Sequence, residues 1–219
     1  MMYALDNGER VKASPGGGGV CPMCEGEVVP KCGSIVSWHW AHKVKDCDTW
    51  SEGESDWHIN WKEEFPEECR EVVMRKEDTV HRADVSIGGK VIEFQKSSIS
   101  EEDIFLRECF YKNMVWVICA SDFEDNFDVR DRGGYFTFRW KYPRKSWWVA
   151  CKPIYLDFGE DTYSLFKINR LYDNVPCGGS GSWVTKGTFL NIFRDWPMKQ
   201  IARETNEHHQ GKEAGPVCN

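Results

Sequence analysis

The chain has 219 residues, with 28 Lys and Arg against 35 Asp and Glu and a formal charge of −7. That length suits one large domain or a domain with a small module, and the acidity argues against nucleic-acid binding through bulk charge. No apolar run reaches membrane-span length, and no secretion signal opens the sequence. Ten cysteines in that setting point to a reducing, cytoplasmic environment and to metal binding rather than a disulfide framework.

The charge is uneven. Residues 1–130 carry 15 basic against 26 acidic residues, or −11, and residues 131–219 carry 13 against 9, or +4. The pattern predicts four units: a hairpin and Cys/His module over 1–50, a core over 51–131, a β-rich extension over 132–202, and a polar, fraying tail over 203–219.

In chain order, "MMYALDNGERVKAS" predicts a hairpin turning at Asn7-Gly8, and "PGGGG" a flexible break. A helix is expected from near Ser51 to Phe65, where Pro66 stops it. "EVVMR" reads as a strand ending in a turn at "KEDT". "HRADVSIGGKVIEFQ" reads as a hairpin around Gly88-Gly89. Ser100 is a natural N-cap for a helix over 100–113, and "MVWVICA" has the continuous apolar character of a buried strand. An acidic loop is expected over 121–134, then strands at "YFTFRW", "WWVAC" and "PIYLDF", with an apolar "TFLNIFR" near the end.

Three constellations carry chemistry. Cys21, Cys24, His39 and His42, spaced C-x2-C-x14-H-x2-H, suit tetrahedral Zn²⁺ in a closed, structural site; Cys32 and Cys47 compete for a ligand position. The Gly88-Gly89 turn pairs Val85 with Ile92 and sets Asp84 opposite Glu93, with Gln95 on the same face. Like charges so placed need a neutralising partner, and Mg²⁺ or Mn²⁺ takes such oxygen ligands; a solvated acidic face is the competing reading. Glu54, His58 and Lys62 fall on one helical stripe at i, i+4, i+8, although Ser51-x-x-Glu54 is also a capping box.

The stretch 132–152 holds six basic residues and no acid, interleaved with aromatics. Arg139 and Lys141 there could meet nucleic-acid phosphates. An ordinary half-buried strand shows the same alternation.

Taken together, "ALDNGERVKA", "CPMC", "KCG", "HWAH", "ES" with His58 and Lys62, "RADV", "IEFQKSSIS", and Arg107 with Tyr111 resemble the competence protein CoiA-like nuclease family. The likeness covers about residues 3–120. It implies membership of the PD-(D/E)XK nucleases: a restriction-endonuclease-like α/β (α+β) fold, a mixed sheet flanked by helices, cleaving DNA with Mg²⁺ or Mn²⁺. On that likeness Asp84 and Glu93 are the metal-binding acids and Glu54 an additional acid from the first helix. Gln95 stands where the superfamily has Lys and brings no charge, so Lys62 or His58 would supply the cation. Arg107 and Tyr111 would face substrate or pack the helix on the sheet. DNA, DNA-processing proteins and no membrane are the expected partners. Two rivals remain: a catalytically silent DNA-binding accessory protein, favoured by Gln95, and a zinc-stabilised protein-interaction module.

Overall fold

The computed structural model describes residues 1–194, apart from 36, 45–46, 52, 160–163 and 173–176; the predicted tail lies outside the described residues. Among these, strands β1 (Tyr3–Asp6), β2 (Glu9–Lys12), β3 (Gly19–Val20), β4 (Glu27–Lys31) and β5 (His39–His42) make one sheet in the order β2-β1-β3-β4-β5.

A second, mixed sheet follows. Its strands are β6 (Arg70–Lys76), β7 (Thr79–Ile87), β8 (Lys90–Gln95), β9 (Met114–Cys119), β10 (Phe127–Asp131), β11 (Phe136–Trp140), β12 (Ile154–Asp157), β13 (Ser164–Tyr172) and β14 (Gly178–Thr185). They lie in the order β10-β11-β14-β13-β12-β9-β8-β7-β6, with β8, β9 and β12 parallel and the remaining pairs antiparallel. Strands from 132 onward therefore extend the sheet that the 70–131 strands begin.

The helices are α1 (Asp56–Glu63), α2 (Glu101–Tyr111) and α3 (Lys186–Arg194). Side-chain alternation along the central strands sorts the core into two layers. Trp116, Ile118 and Ile154 pack with Ile104 and Tyr111 of α2 on one face. Ile92, Phe94, Val115 and Val117 pack with Trp61 of α1 and Phe189 and Phe193 of α3 on the other. The result is a mixed α+β fold with helices on both faces of the large sheet.

The expected hairpin forms in the expected register, Val85 with Ile92 and Ile87 with Lys90. Gly88 and Gly89 take φ of 55° and 73°, the left-handed values a primed turn requires. Val85, Ile87, Ile92 and Phe94 share one core layer.

Other local expectations are corrected. α1 starts at Asp56, not near Ser51, because Ser55 is the cap: its side chain accepts from the His58 amide. Residues 121–134 are not one loop; a 3-10 helix over Ser121–Asn126 leads into β10. "WWVAC" is no strand: Lys145–Val149 is a 3-10 turn that buries Trp147 edge-on to Trp116. "TFLNIFR" lies in α3. The glycine-rich β14 carried no strand signal, since a Cβ at Gly181 would sit 2.2 Å from the Phe166 ring and one at Gly179 would sit 2.6 Å from the Phe138 ring. Glycine is required there by aromatic packing.

α1 is latched to the sheet by one carboxylate. The indole N–H groups of Trp57 and Trp61 donate to Asp157 Oδ2 at 2.8 and 2.6 Å, and the Gly159 amide donates to its other oxygen at 3.1 Å. Asp157→Ala leaves indole donors buried without an acceptor. It is expected to destabilise the fold by about 2–4 kcal/mol, measured by urea denaturation followed through tryptophan fluorescence.

Candidate metal centre and acidic cavity

The first site is built at the end of the small sheet. Cys21, Cys24, His42 and Cys47 each bring one ligand atom into a group in which all four atoms lie within 4.8 Å of one another. Cys21 Sγ and Cys47 Sγ are 3.7 Å apart, and Cys24 Sγ and His42 Nε2 are 3.4 Å apart. Zn–S bonds of about 2.3 Å in a tetrahedron give sulfur–sulfur edges of about 3.8 Å. Three sulfurs and an imidazole at this spacing fit a closed structural zinc site.

The turn that carries the first two ligands is folded for the purpose. The Cys21 amide donates to the Gly26 carbonyl at 2.8 Å, while the Met23 and Gly26 amides donate to the Cys21 and Cys24 sulfurs at 3.3 and 3.4 Å. Burial, then the neighbouring Cys24 and Cys21 sulfurs, pushes the Cys47 thiol up. Burial also pushes Cys24 up, but hydrogen bonds from Gly26, Cys47 and Cys21 outweigh it and leave that thiol below its ordinary range.

His39 is corrected here: it stands outside the cluster, and Cys47 takes the fourth place. "HWAH" is a strand, not a turn. Residues three apart on a strand face opposite ways, so His42 shares its face with Trp40 while His39 turns away, its Nδ1 2.9 Å from the Ser37 carbonyl.

The second site lies where β7 and β8 part. Their ladder is regular from Ile87/Lys90 to Val85/Ile92. One residue further, side chains replace backbone carbonyls as acceptors: the Asp84 amide donates to Glu93 Oε1 at 3.2 Å, and the Phe94 amide donates to Asp84 Oδ2 at 2.9 Å. The two carboxylates thus meet beside a cavity of about 30 Å³ lined in part by Asp48, Glu54, His58, Asp84, Glu93 and Arg107. That is room for a water molecule or a small ion.

Lys62 is the cationic centre of this region. Its Nζ is 2.8 Å from Glu54 Oε1, 3.0 Å from Glu71 Oε1 and 3.6 Å from Asp84 Oδ1, with the side chain 1 % exposed. Burial works against the ammonium, but Glu71, Glu54 and Asp84 outweigh it and hold its proton above the ordinary lysine range. Glu54 lies outside α1, before the Ser55 cap, so it does not cap a helix; its carboxylate meets Lys62. His58 Nδ1 is 2.8 Å from Ser55 Oγ, at the base of the same cavity.

Arg107 Nη1 contacts Glu93 Oε2 at 3.3 Å and Gln95 Oε1 at 3.4 Å, and its Nη2 donates to the Trp50 carbonyl at 2.8 Å. It orients Glu93 from α2, and Gln95 orients Arg107. Tyr111 packs edge-on to Trp50; burial first, then Glu93, Asp48 and Asp84, keeps its phenol protonated. Burial and the adjacent Asp84 push the Glu93 carboxyl up to about 8, against the pull of Arg107.

The structure therefore brings together Glu54, His58, Lys62, Asp84, Glu93, Gln95, Arg107 and Tyr111. It does not bring Arg139 and Lys141 to them. β11 lies five strand spacings from β8, about 24 Å at 4.8 Å per step. Phe138 and Trp140 are buried and Arg139 exposed, the ordinary alternation of a half-buried strand.

Two acids escaped the sequence reading. Asp48 is buried, accepting from the Arg82 amide at 2.9 Å, with Oδ1 2.9 Å from His81 Nδ1. Glu71 is buried beside Lys62. Around the cavity and Lys62, five carboxylates (48, 54, 71, 84, 93) meet four cations: Lys62, Arg82, Arg107 and the Met1 ammonium, which lies 3.4 Å from Glu54 Oε1. Glu54 Oε2 is buried with no hydrogen-bond partner. That oxygen and the oxygen donor set fit one hard divalent cation held by Glu54, Asp84 and Glu93.

Among the described residues, no helix is long and apolar enough to cross a membrane. Residues 18–49 match the family model described as Competence protein CoiA, N-terminal domain. No curated protein and no solved structure matches the chain.

The zinc assignment predicts one zinc per chain by elemental analysis, retained in His39→Ala and lost or strongly weakened in Cys47→Ser. Chelation is expected to lower the unfolding temperature, because metal binding contributes folding free energy.

Proposed function

We propose that this protein is a divalent-cation-dependent DNA nuclease with a restriction-endonuclease-like core, and that its acidic cavity is the active site. The carrying observation is the pair Asp84 and Glu93, held carboxylate to amide where two strands part, beside a buried ammonium. The competence-protein match of residues 18–49 supports a competence-related role, and DNA as the substrate is part of the proposal.

The residues divide the work. Asp84, Glu93 and Glu54 would hold Mg²⁺ or Mn²⁺. Such an ion, when bound, supplies positive charge against the phosphate and lowers the pKa of a water. Arg107 keeps Glu93 aimed into the cavity. Lys62 supplies the positive charge that the superfamily draws from the position of Gln95; its ammonium lies 3.6 Å from Asp84 Oδ1, where negative charge would grow on a pentacovalent phosphate. His58 borders the same space as a candidate proton carrier for the leaving oxygen.

Purified protein with Mg²⁺ or Mn²⁺ is expected to cut linear, circular or single-stranded DNA. Asp84→Asn and Glu93→Gln should each reduce cleavage at least about 10²-fold while the unfolding transition persists. Unchanged rates in both would remove the site.

A second reading has its own observation. Lys62 is shared among three carboxylates, and Gln95 is occupied with Arg107, so the cavity could be neutralised internally and serve a silent DNA-binding accessory protein. DNA binding without cleavage at any Mg²⁺ or Mn²⁺ concentration would decide for it.

A further inference from the structure

Glu71 occupies a place in β6 that ordinary strand geometry forbids. The ladder to β7 pairs Arg70 with Val85 and Val72 with Ala83 and passes over Glu71, whose φ is 47°. A non-glycine residue held there is strained and persists only where its surroundings impose it.

Those surroundings are the small sheet. Glu71 Oε2 accepts from the amides of Met2 and Tyr3 at 2.8 and 3.2 Å, and β1 is tied in turn to the strand bearing the zinc-cluster residue His42, since the Trp40 amide donates to the Met1 carbonyl at 2.8 Å. The other oxygen, Oε1, accepts from Lys62 Nζ at 3.0 Å. Burial would raise this carboxyl, but Lys62, Arg82 and the nearby amino group hold it well below the usual carboxylate range.

We infer that Glu71 is a positioning residue that holds the Lys62 ammonium back from Asp84, leaving Asp84 free to bind the divalent cation. The distances carry the argument: Nζ is close to Glu54 and Glu71, at 2.8 and 3.0 Å, and stands off from Asp84, at 3.6 Å. Without the Glu71 charge, Asp84 is the remaining carboxylate that the ammonium can close upon, and it would then fill the cation's place. The small sheet is in this way a working wall of the site. The inference rests on the cation-site reading above.

The test is Mn²⁺ binding to the full chain, followed by electron paramagnetic resonance, beside DNA cleavage kinetics. Glu71→Gln keeps an acceptor for the two amides and loses the charge. It is expected to weaken Mn²⁺ about tenfold, within the range of coupling between contacting residues, and to lower kcat with little change in KM for DNA. Adding Lys62→Met to Glu71→Gln removes the competing ammonium. Mn²⁺ affinity should return to about the wild-type level, while cleavage should not.

A merely structural role would lower the unfolding temperature and leave Mn²⁺ affinity of the folded protein unchanged, which overturns the inference, as does failure of the double variant to recover affinity. Wild-type protein that binds Mn²⁺ but cuts nothing defeats the nuclease reading alone, and Glu71 is then judged on affinity. Wild-type protein that binds no Mn²⁺ removes the cation site and this inference together. If Glu71→Gln does not fold, Glu71→Asp, which keeps the charge and shortens the reach, should also weaken Mn²⁺; wild-type affinity in that variant overturns the inference.

Discussion

The buried Lys62 ammonium organises this end of the molecule. Lys62 comes from α1, Glu54 from the segment before it, Glu71 from β6 and Asp84 from β7, and their contacts close over a side chain that is 1 % exposed. Withdrawing two or more charges from water costs several kcal/mol per ion, which close partners must offset. Neutralising one partner shifts the ammonium toward those that remain, so the contacts depend on one another. The latch of Trp57 and Trp61 on Asp157 matters for the same reason. It fixes α1 against the sheet and hence sets where the ammonium can reach.

Asp84 and Glu93 solve a second electrostatic problem. Two acids facing each other across a ladder repel, yet here each accepts an amide of the other's strand or its neighbour. The strands separate just enough for side-chain oxygens to replace main-chain carbonyls, so no amide is wasted and the carboxylates turn toward a shared cavity. Arg107 offsets part of the remaining charge on Glu93 from the opposite layer. The Glu54 oxygen left without a hydrogen-bond partner is the place a divalent cation would complete.

How much of this could be read from residues alone depended on range. The hairpin was legible because Gly88-Gly89 specifies its own turn and the alternation on either side specifies its faces. The Ser100 cap and the "MVWVICA" strand were legible for similarly local reasons. His39 was misassigned because "HWAH" looks like a turn gripping an ion, and only its incorporation as a strand beside β4 sends His39 and His42 to opposite faces. Cys47, alone in the sequence, becomes a ligand only when the chain returns to the cluster. Glu71 had no signal: its role needs a left-handed backbone in mid-strand and two amides about 70 positions away. Arg139 and Lys141 were overread, since alternating charge and aromatics describe any strand with one wet face.

The small sheet's position also has a reason beyond zinc. β6 is the terminal strand of the large sheet, and an unpaired edge next to a polar cavity invites water and foreign strands. The N-terminal unit covers this end. Val73 and Val80 pack against its core of Met1, Ala4, Cys21 and Trp40, Arg75 donates to the Met23 carbonyl at 3.3 Å, and Met2 and Tyr3 supply amides to Glu71. Apolar packing alone would shield the edge. The amide contacts do more, since they fix an acid whose other oxygen bears on Lys62. A five-stranded sheet with its own modest core can hold such a contact steady only if its ends are cross-linked. The Cys21, Cys24, His42 and Cys47 cluster gathers the turn after β3, the end of β5 and the segment that follows it, so a zinc ion held there would brace the unit whose Met2 and Tyr3 amides meet Glu71.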